Sequence, residues 1–345
     1  MDVHTLREFE ALARDALSPP AYAYYAGGAF DELTLRDNEA AFARRRLRPR
    51  VLVDVSHVDC GTTLLGTPFA APIGLAPTAL QGLAHPEGEV LAARAAARSH
   101  CLYCLSTFSS RSLETVAAVE RGTRWFQLYV QRDREKTRRL VERAGAAGFR
   151  ALVVTVDLAV PGYRDRELRQ PLEGAVTGSV GTLEGGDEFL EAIGAEVDPS
   201  LTWDDLAWIR SLSDLPLVVK GILRAEDAAR AVEAGAAGIV VSNHGGRQLD
   251  RAPATIDALE GVVAAVAGRA EVYLDGGVRR GTDVATALAL GARACFIGRP
   301  FLYALAAGGE AGVERCLEIL AAELQVAMAL LGAPTVSELT PDLVG

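Results

Sequence analysis

Short apolar runs punctuate the chain, separated by longer stretches of mixed polarity. Eight stand out: Ala71–Thr78, Cys101–Ser106, Arg124–Val130, Ala151–Asp157, Pro216–Gly221, Gly238–Asn243, Glu271–Gly277 and Ala294–Pro300. Several are nearly continuous, as in Leu152-Val153-Val154-Thr155-Val156 and Ile239-Val240-Val241-Ser242. A strand with one wet face alternates apolar and polar residues, so unbroken runs predict parallel strands covered on both faces. The stretches Glu87–Arg98, Ala225–Ala234 and Thr282–Leu290 have helical spacing and are rich in Ala, Glu and Arg. Glycine followed by alanine precedes three strands, at Gly145-Ala146, Gly235-Ala236 and Gly291-Ala292. These steps predict helix ends in the left-handed conformation. Eight strands alternating with helices predict an α/β fold, a closed (β/α)8 TIM barrel. The alternative is an open doubly wound sheet, which the strand count and connection lengths fit less well.

Two pieces lie outside the repeat. Residues 1–70 form a leader, read as a helix near His4–Leu17, a linker and a short hairpin. The connection 158–214 is acidic, poor in apolar residues and carries Gly174, Gly178, Gly181, Gly185, Gly186 and Gly194. A long glycine-rich loop after the fourth strand opens at the catalytic face of a barrel and predicts a mobile lid, the plainer reading being a spacer without a role. With both pieces included, residues 1–345 read as one domain.

Charge and composition then narrow the partners. The chain carries a net charge of −10 and lacks a basic run interleaved with aromatics, so no nucleic-acid partner is expected. No apolar run approaches the roughly 20 residues of a membrane span, so no membrane partner is expected either. Neither end reads as a targeting signal, which points to the cytoplasm. Five cysteines suit a reducing compartment. Cys101 and Cys104 have redox-motif spacing, but they fall on a predicted strand, where residues three apart face opposite sides and do not pair locally.

Catalytic groups of a barrel sit at the C-terminal strand ends. There the chain places Pro77-Thr78-Ala79, Ser106, Gln127 with Tyr129, Thr155 with Asp157, Lys220, Ser242-Asn243-His244-Gly245-Gly246-Arg247, Asp275-Gly276-Gly277-Val278-Arg279 and Gly298-Arg299. Together they describe a polar pocket. Lysine occurs only at 136 and 220 in an arginine-rich chain, which marks Lys220 as chosen for its compact charge. Glycines beside Arg279 and Arg299 predict a phosphate site after strands seven and eight. His244 is the candidate general base, Asp157 its orienting partner, and strand alternation from Ser242 would turn His244 toward the pocket. Arg164 and Arg247 are candidate clamps for a substrate carboxylate, Arg247 through two parallel bonds. No Gly-x-Gly-x-x-Gly opens a helix after a strand, so a dinucleotide is not predicted.

At these residues the sequence resembles the FMN-dependent 2-hydroxy-acid oxidase and dehydrogenase family, which includes glycolate oxidase, lactate oxidase and mandelate dehydrogenase. The most specific match is Ser242-Asn-His-Gly-Gly-Arg-Gln-Leu-Asp250. Others are Tyr24-Tyr-Ala-Gly-Gly28, Ala76-Pro-Thr-Ala79, His85-Pro-Glu-Gly-Glu89, Trp125-Phe-Gln-Leu-Tyr129, Val154-Thr-Val-Asp157, Val219-Lys-Gly221, Asp275-Gly-Gly-Val-Arg-Arg-Gly281 and Ile297-Gly-Arg-Pro300.

The resemblance implies FMN as cofactor. Pro77, Thr78, Ala79, Ser106, Gln127, Thr155, Lys220 and Ser242 would line the flavin. Asp275, Gly277, Arg279, Gly298 and Arg299 would hold its ribityl phosphate. Tyr24, Arg164 and Arg247 would take the substrate carboxylate, Phe108 would wall the substrate, Tyr129 would meet its hydroxyl, and His244 with Asp157 would be the base. The implied reaction is oxidation of a small (S)-2-hydroxy acid, with O2 as acceptor giving H2O2, by a homotetramer or octamer. The alternatives are a quinone- or protein-linked dehydrogenase, an oxidase of larger or aromatic acids such as mandelates, and a catalytically silent flavin binder that would have no use for His244, Asp157, Tyr24 and Arg247. Four features bear on substrate choice: Phe108 replaces a family Trp, Gln170-Pro171 replaces a family Asn step, the lid is shorter than in glycolate oxidase, and position 79 is Ala where mandelate dehydrogenases often have Gly. Ala79 is the residue of members acting on small acids.

Overall fold

The computed structural model of the chain describes residues 1–172, 181–183 and 197–345. Its leader consists of α1 (Leu6–Ala16), α2 (Pro19–Ala26) and α3 (Leu33–Arg44), followed by the antiparallel hairpin β1 (Thr62–Leu64) and β2 (Thr67–Phe69). Eight strands then follow: β3 (Ile73–Leu75), β4 (Leu102–Leu105), β5 (Arg124–Leu128), β6 (Leu152–Thr155), β7 (Leu217–Ile222), β8 (Gly238–Val241), β9 (Glu271–Asp275) and β10 (Ala294–Ile297). They are parallel neighbours in chain order, and β10 pairs back onto β3, closing the barrel. The predicted apolar runs overlap all eight. The helical layer comprises α4 (Gly88–Arg98), α5 (Leu113–Ala117), α6 (Arg134–Ala146), α7 (Asp165–Arg169), α8 (Trp203–Ser211), α9 (Ala225–Glu233), α10 (Thr255–Val266), α11 (Gly281–Ala289) and α12 (Arg299–Leu331).

Period-two alternation grades the barrel interior. The lower inward positions are apolar: Cys104, Trp125, Val153, Val218, Val240, Tyr273 and Phe296 form one buried cluster, with Leu64 and Phe69 of the hairpin packed into it. Trp125 and Tyr273 meet edge-on at 5.4 Å, and Phe296 lies 5.7 Å from Tyr273. This floor fills the barrel. Two residues further along each strand, the same inward column becomes Ser106, Gln127, Thr155, Lys220, Ser242, Asp275 and Gly298. The strands thus change from a packing surface to a polar one at the end where a ligand can reach them.

Two sequence expectations change. Gly145 lies inside α6, and the left-handed residue that ends that turn is Gly148 (φ 82°), whereas Gly235 and Gly291 behave as expected. The connection 158–214 is not all insertion. Its last part is α8, a helix of the barrel wall with Leu206 and Ile209 buried and a Thr202/Asp205 capping box. The expected glycine-rich lid falls largely on residues 173–180 and 184–196, outside the described residues. Cys101 and Cys104 are free and buried in different clusters, one outside the barrel and one within it, as strand alternation predicts.

Candidate active site

A cavity partly open to solvent lies over the polar layer. Of the residues singled out in the sequence, Tyr24, Pro77, Thr78, Ala79, Ser106, Phe108, Tyr129, Arg164, Lys220, His244, Arg247, Asp275, Gly277, Arg279, Gly298 and Arg299 line it. Gln127, Thr155, Asp157 and Ser242 stand immediately behind. Gln127 accepts from Ser106 Oγ at 3.2 Å, Thr155 is paired in register with Lys220, Asp157 bonds His244, and Ser242 Oγ accepts from Lys220 Nζ at 3.0 Å.

At one end of the cavity His244 stands between an acid and a phenol. Its Nδ1 lies 2.8 Å from Asp157 Oδ1, and its Nε2 lies 3.3 Å from the Tyr129 hydroxyl. Burial lowers the His244 pKa from its ordinary 6.5, and the charges of Lys220 and Arg164 add to that, against the pull of Asp157. Burial alone would raise the Asp157 carboxyl, but His244 and Lys220 outweigh it and hold the group below the usual carboxylate range. At neutral pH the pair is therefore a neutral imidazole beside a carboxylate, with Nδ1 donating and the Nε2 lone pair turned to Tyr129. Burial, with the Asp157 charge adding, pushes the Tyr129 phenol well above its ordinary value and keeps it a donor.

Strand alternation does not place His244. Strand β8 ends at Val241, and His244 opens a 3-10 turn with its own φ at +58°. An L-residue pays roughly 1–2 kcal/mol for that conformation, so neighbours must hold it. The His244 N–H donates to Ser242 Oγ at 3.1 Å, and Asn243 exchanges amide hydrogen bonds with Asn38 of α3 at 2.9 and 2.7 Å. Asp157 approaches through a second backbone device. Gly221 has φ +109° at the irregularity in β7, and a Cβ there would lie 2.7 Å from Asp157 Cβ.

Two guanidiniums share the same end of the cavity. Arg247 stacks over the Tyr24 ring at 4.9 Å. Its fork is not open as expected: one terminal nitrogen donates to the carbonyls of Tyr24 and Gly27 (2.5 and 2.9 Å), the other to Glu167 at 2.9 Å. Arg164 donates to the Arg247 carbonyl (3.0 Å), to Glu167 (3.3 Å) and to Gln248 (3.0 Å). Phe108 stacks on Tyr129 at 5.1 Å and closes the wall beside them.

The other end combines Gly276, Gly277 and Gly298 with Arg279 and Arg299. The Arg299 guanidinium is half-buried, and its described hydrogen bonds all run to carbonyls, those of Tyr25, Gly27 and Gly245. Burial, together with the positive charges of Arg247 and Arg279, lowers its pKa to about 10. A half-buried cation without a carboxylate in its fork, beside glycine backbone, suits an anion. Arg279 pairs with Glu39 of α3 at 3.0 Å. Between the two ends Lys220, 5% exposed, reaches Asp275 at 3.4 Å. Burial works against its charge, but Asp275 and Asp157 prevail and raise its pKa. Gln127 Nε2, Thr155 Oγ1 and Asp275 Oδ1 are buried with no partner among the described residues. Unmet donors and acceptors along a cavity wall fit a polar-edged ligand lying between an anion site and a base.

The family model of the FMN-dependent dehydrogenases matches residues 13–345. The chain belongs to this family. FMN is accordingly its cofactor, and the unmet wall and the cationic glycine end fit that group. An L-lactate oxidase from Nostoc sp. is 52% identical, with 97% of this chain and 96% of the relative covered. A peroxisomal (S)-2-hydroxy-acid oxidase from Oryza sativa subsp. japonica is 51% identical over 97% and 94%. Among solved structures, a mandelate oxidase superposes with a TM-score of 0.92 at 43% identity, covering 99% of this chain and 98% of that one. No helix among the described residues is long and apolar enough to cross a membrane, and no group of His, Cys, Asp and Glu among them is arranged to hold a metal.

Sequence reasoning missed Asn38 and Glu167, and it quoted Gln248 within the Ser242–Asp250 match without giving it a role. Gln248 satisfies its whole amide: it donates to the Asp157 and Val160 carbonyls and accepts from Gly162 N and Arg164.

Proposed function

We propose that this enzyme oxidises a small (S)-2-hydroxy acid to the 2-oxo acid and passes the electrons to O2, releasing H2O2. The observation that carries this reading is a neutral, carboxylate-backed imidazole facing the same cavity as two arginines. Arg164 and Arg247, with Tyr24, take the substrate carboxylate. Tyr129 donates to the substrate oxygen. His244 Nε2 takes up a substrate proton, and Asp157 stabilises the imidazolium that results. FMN, when bound, supplies the two-electron acceptor. Pro77, Thr78, Ala79, Ser106, Gln127, Thr155, Lys220 and Ser242 would hold its ring, where the Lys220 charge favours the reduced, anionic form. Asp275, Gly277, Arg279, Gly298 and Arg299 would hold its phosphate end. We read residues 1–345 as one functional domain, cytoplasmic and assembled as a homotetramer or octamer, a reading that size measurement in solution checks.

The test is anaerobic flavin bleaching with glycolate, L-lactate, longer 2-hydroxy acids and mandelates, followed by O2 readmission on an oxygen electrode. Fast bleaching with stoichiometric H2O2 is expected. Bleaching without O2 uptake would instead make the enzyme a dehydrogenase, and no bleaching by any of these acids would overturn the reading. Fast reduction by (S)-mandelate would favour a larger substrate, the choice suggested by Phe108 in the wall and by the mandelate oxidase likeness.

A further inference from the structure

Glu167, on the short helix α7, is the carboxylate that Arg164 and Arg247 have in common. Its Oε1 lies 2.9 Å from a terminal nitrogen of Arg247, and its Oε2 lies 3.3 Å from a terminal nitrogen of Arg164. Both arginines line the cavity and Glu167 does not. It therefore meets the guanidiniums from outside, away from where a substrate would sit. Two like charges brought together in a partly buried site repel, and each lowers the other's tendency to stay in place. The remaining anchors of the pair are neutral: the carbonyls of Tyr24 and Gly27 for Arg247, and Gln248 with the Arg247 carbonyl for Arg164. Among the described residues Glu167 alone forms an ion pair with either arginine, and one carboxylate spans both forks.

We propose that Glu167 is a positioning residue for substrate binding: shared by Arg164 and Arg247, it holds the two guanidiniums side by side so that the N–H groups it leaves free converge on one substrate carboxylate. Arg164 illustrates the arrangement. A guanidinium has five N–H donors, and the bonds to the Arg247 carbonyl, Glu167 and Gln248 use three, leaving two, one on each terminal nitrogen. The guanidinium is planar in itself, and the inner bonds fix the direction in which those two N–H groups point. Arg166 on the same helix is tied to Glu32 of the leader at 2.6 Å, and Phe30 N donates to the Tyr163 carbonyl at 2.9 Å. The leader thus anchors the segment that carries Glu167 as well as Arg164. The inference rests on the reading of Arg164 and Arg247 as the carboxylate clamp.

The experiment compares E167Q, E167A and E167D with R247K in the FMN-loaded enzyme, using whichever of glycolate, L-lactate or (S)-mandelate reduces the parent flavin fastest. Two quantities are read: the substrate concentration for half-maximal anaerobic reduction, and the Kd of the corresponding 2-oxo acid from its perturbation of the flavin spectrum. In E167Q and E167A both should rise roughly tenfold to a hundredfold, while the limiting reduction rate changes less than about threefold. E167D, which keeps the charge, should recover most of the affinity. If R247K weakens both quantities and E167Q and E167A leave them at parent values, the inference is overturned and the clamp stands. If E167Q tightens binding, Glu167 is a competitor of the substrate and the inference is likewise wrong. If R247K changes neither quantity, the clamp itself fails. Should E167A not load FMN, E167Q and E167D decide the matter.

Discussion

At the scale of single residues, the role proposed for His244 as base requires that it be kept neutral. Burial and two nearby cations depress its pKa below 6.5, so it remains a free base through the physiological range. Protonation removes the lone pair, so kcat/KM is expected to be flat near neutrality and to fall with decreasing pH through that lowered value. A pH profile with its acid limb above 6.5 would contradict this. Asp157 is the group that raises the His244 pKa, so Asp157→Asn should move the acid limb to still lower pH. The same change should lower the plateau by roughly 100- to 10,000-fold, since the imidazolium loses its counter-charge. His244→Gln should depress anaerobic flavin reduction by the same order while the protein stays yellow, because His244 bonds Asp157, Tyr129 and Ser242 and none of these belongs to the glycine and arginine end of the cavity. Reduction of that variant at close to the parent rate would remove His244 as the base and turn attention to Tyr24 and Tyr129.

At the scale of elements, the strand ends act as a set because each delivers its residue through backbone geometry. The clearest case is β7, where the irregularity at Gly221 brings Lys220 and Asp157 into one site. Gly221→Ala puts a methyl group 2.7 Å from Asp157 Cβ on a backbone at φ +109°. We expect it to cost about 1 kcal/mol or more of stability and to slow flavin reduction at least tenfold, with FMN retained. Reduction kinetics and thermal melts on one preparation check both parts. Element identity was legible in the sequence where burial on both faces makes a run continuous, which is why all eight strands appear in it. It was not legible in α8, whose Leu206 and Ile209 are embedded among acids and follow a glycine-rich stretch. The leader helices α2 and α3 were missed for a related reason: their value lies in partners far along the chain. Asn38 meets Asn243 across 205 residues, and Gln248 meets Asp157 across 91. No local pattern encodes such contacts, although the residues at their far ends were all visible as motifs.

At the scale of the whole molecule, stability and chemistry occupy different heights of one barrel. Trp125 and Tyr273 lie in the floor below the cavity lining, and Phe296 is the member of the floor that reaches the cavity. Trp125→Ala should therefore cost roughly 3–5 kcal/mol by opening a cavity. Denaturant titration should show that loss, while the substrate dependence of flavin reduction at 25 °C stays at the parent value. A shift in substrate affinity would mean the layers are coupled. The cofactor prediction belongs to this scale too. One cationic glycine end and no dinucleotide fingerprint call for a mononucleotide, so heat-released flavin should chromatograph as FMN, and FAD would contradict it.

The leader has a less visible hold on both ends of the cavity. Arg247 leans on the carbonyls of Tyr24 and Gly27, and Arg299 on those of Tyr25 and Gly27. Every amino acid brings the same carbonyl, so this dependence leaves no trace in residue identity. An alanine scan of positions 24–27 would report mainly the lost side chains and pass over the acceptors. A single protease cut in the same stretch would loosen the two arginines together, and with them the grip on both ligands. Inactivation by a nick in this segment, greater than the loss of any one of its side chains would cause, is the behaviour this wiring produces.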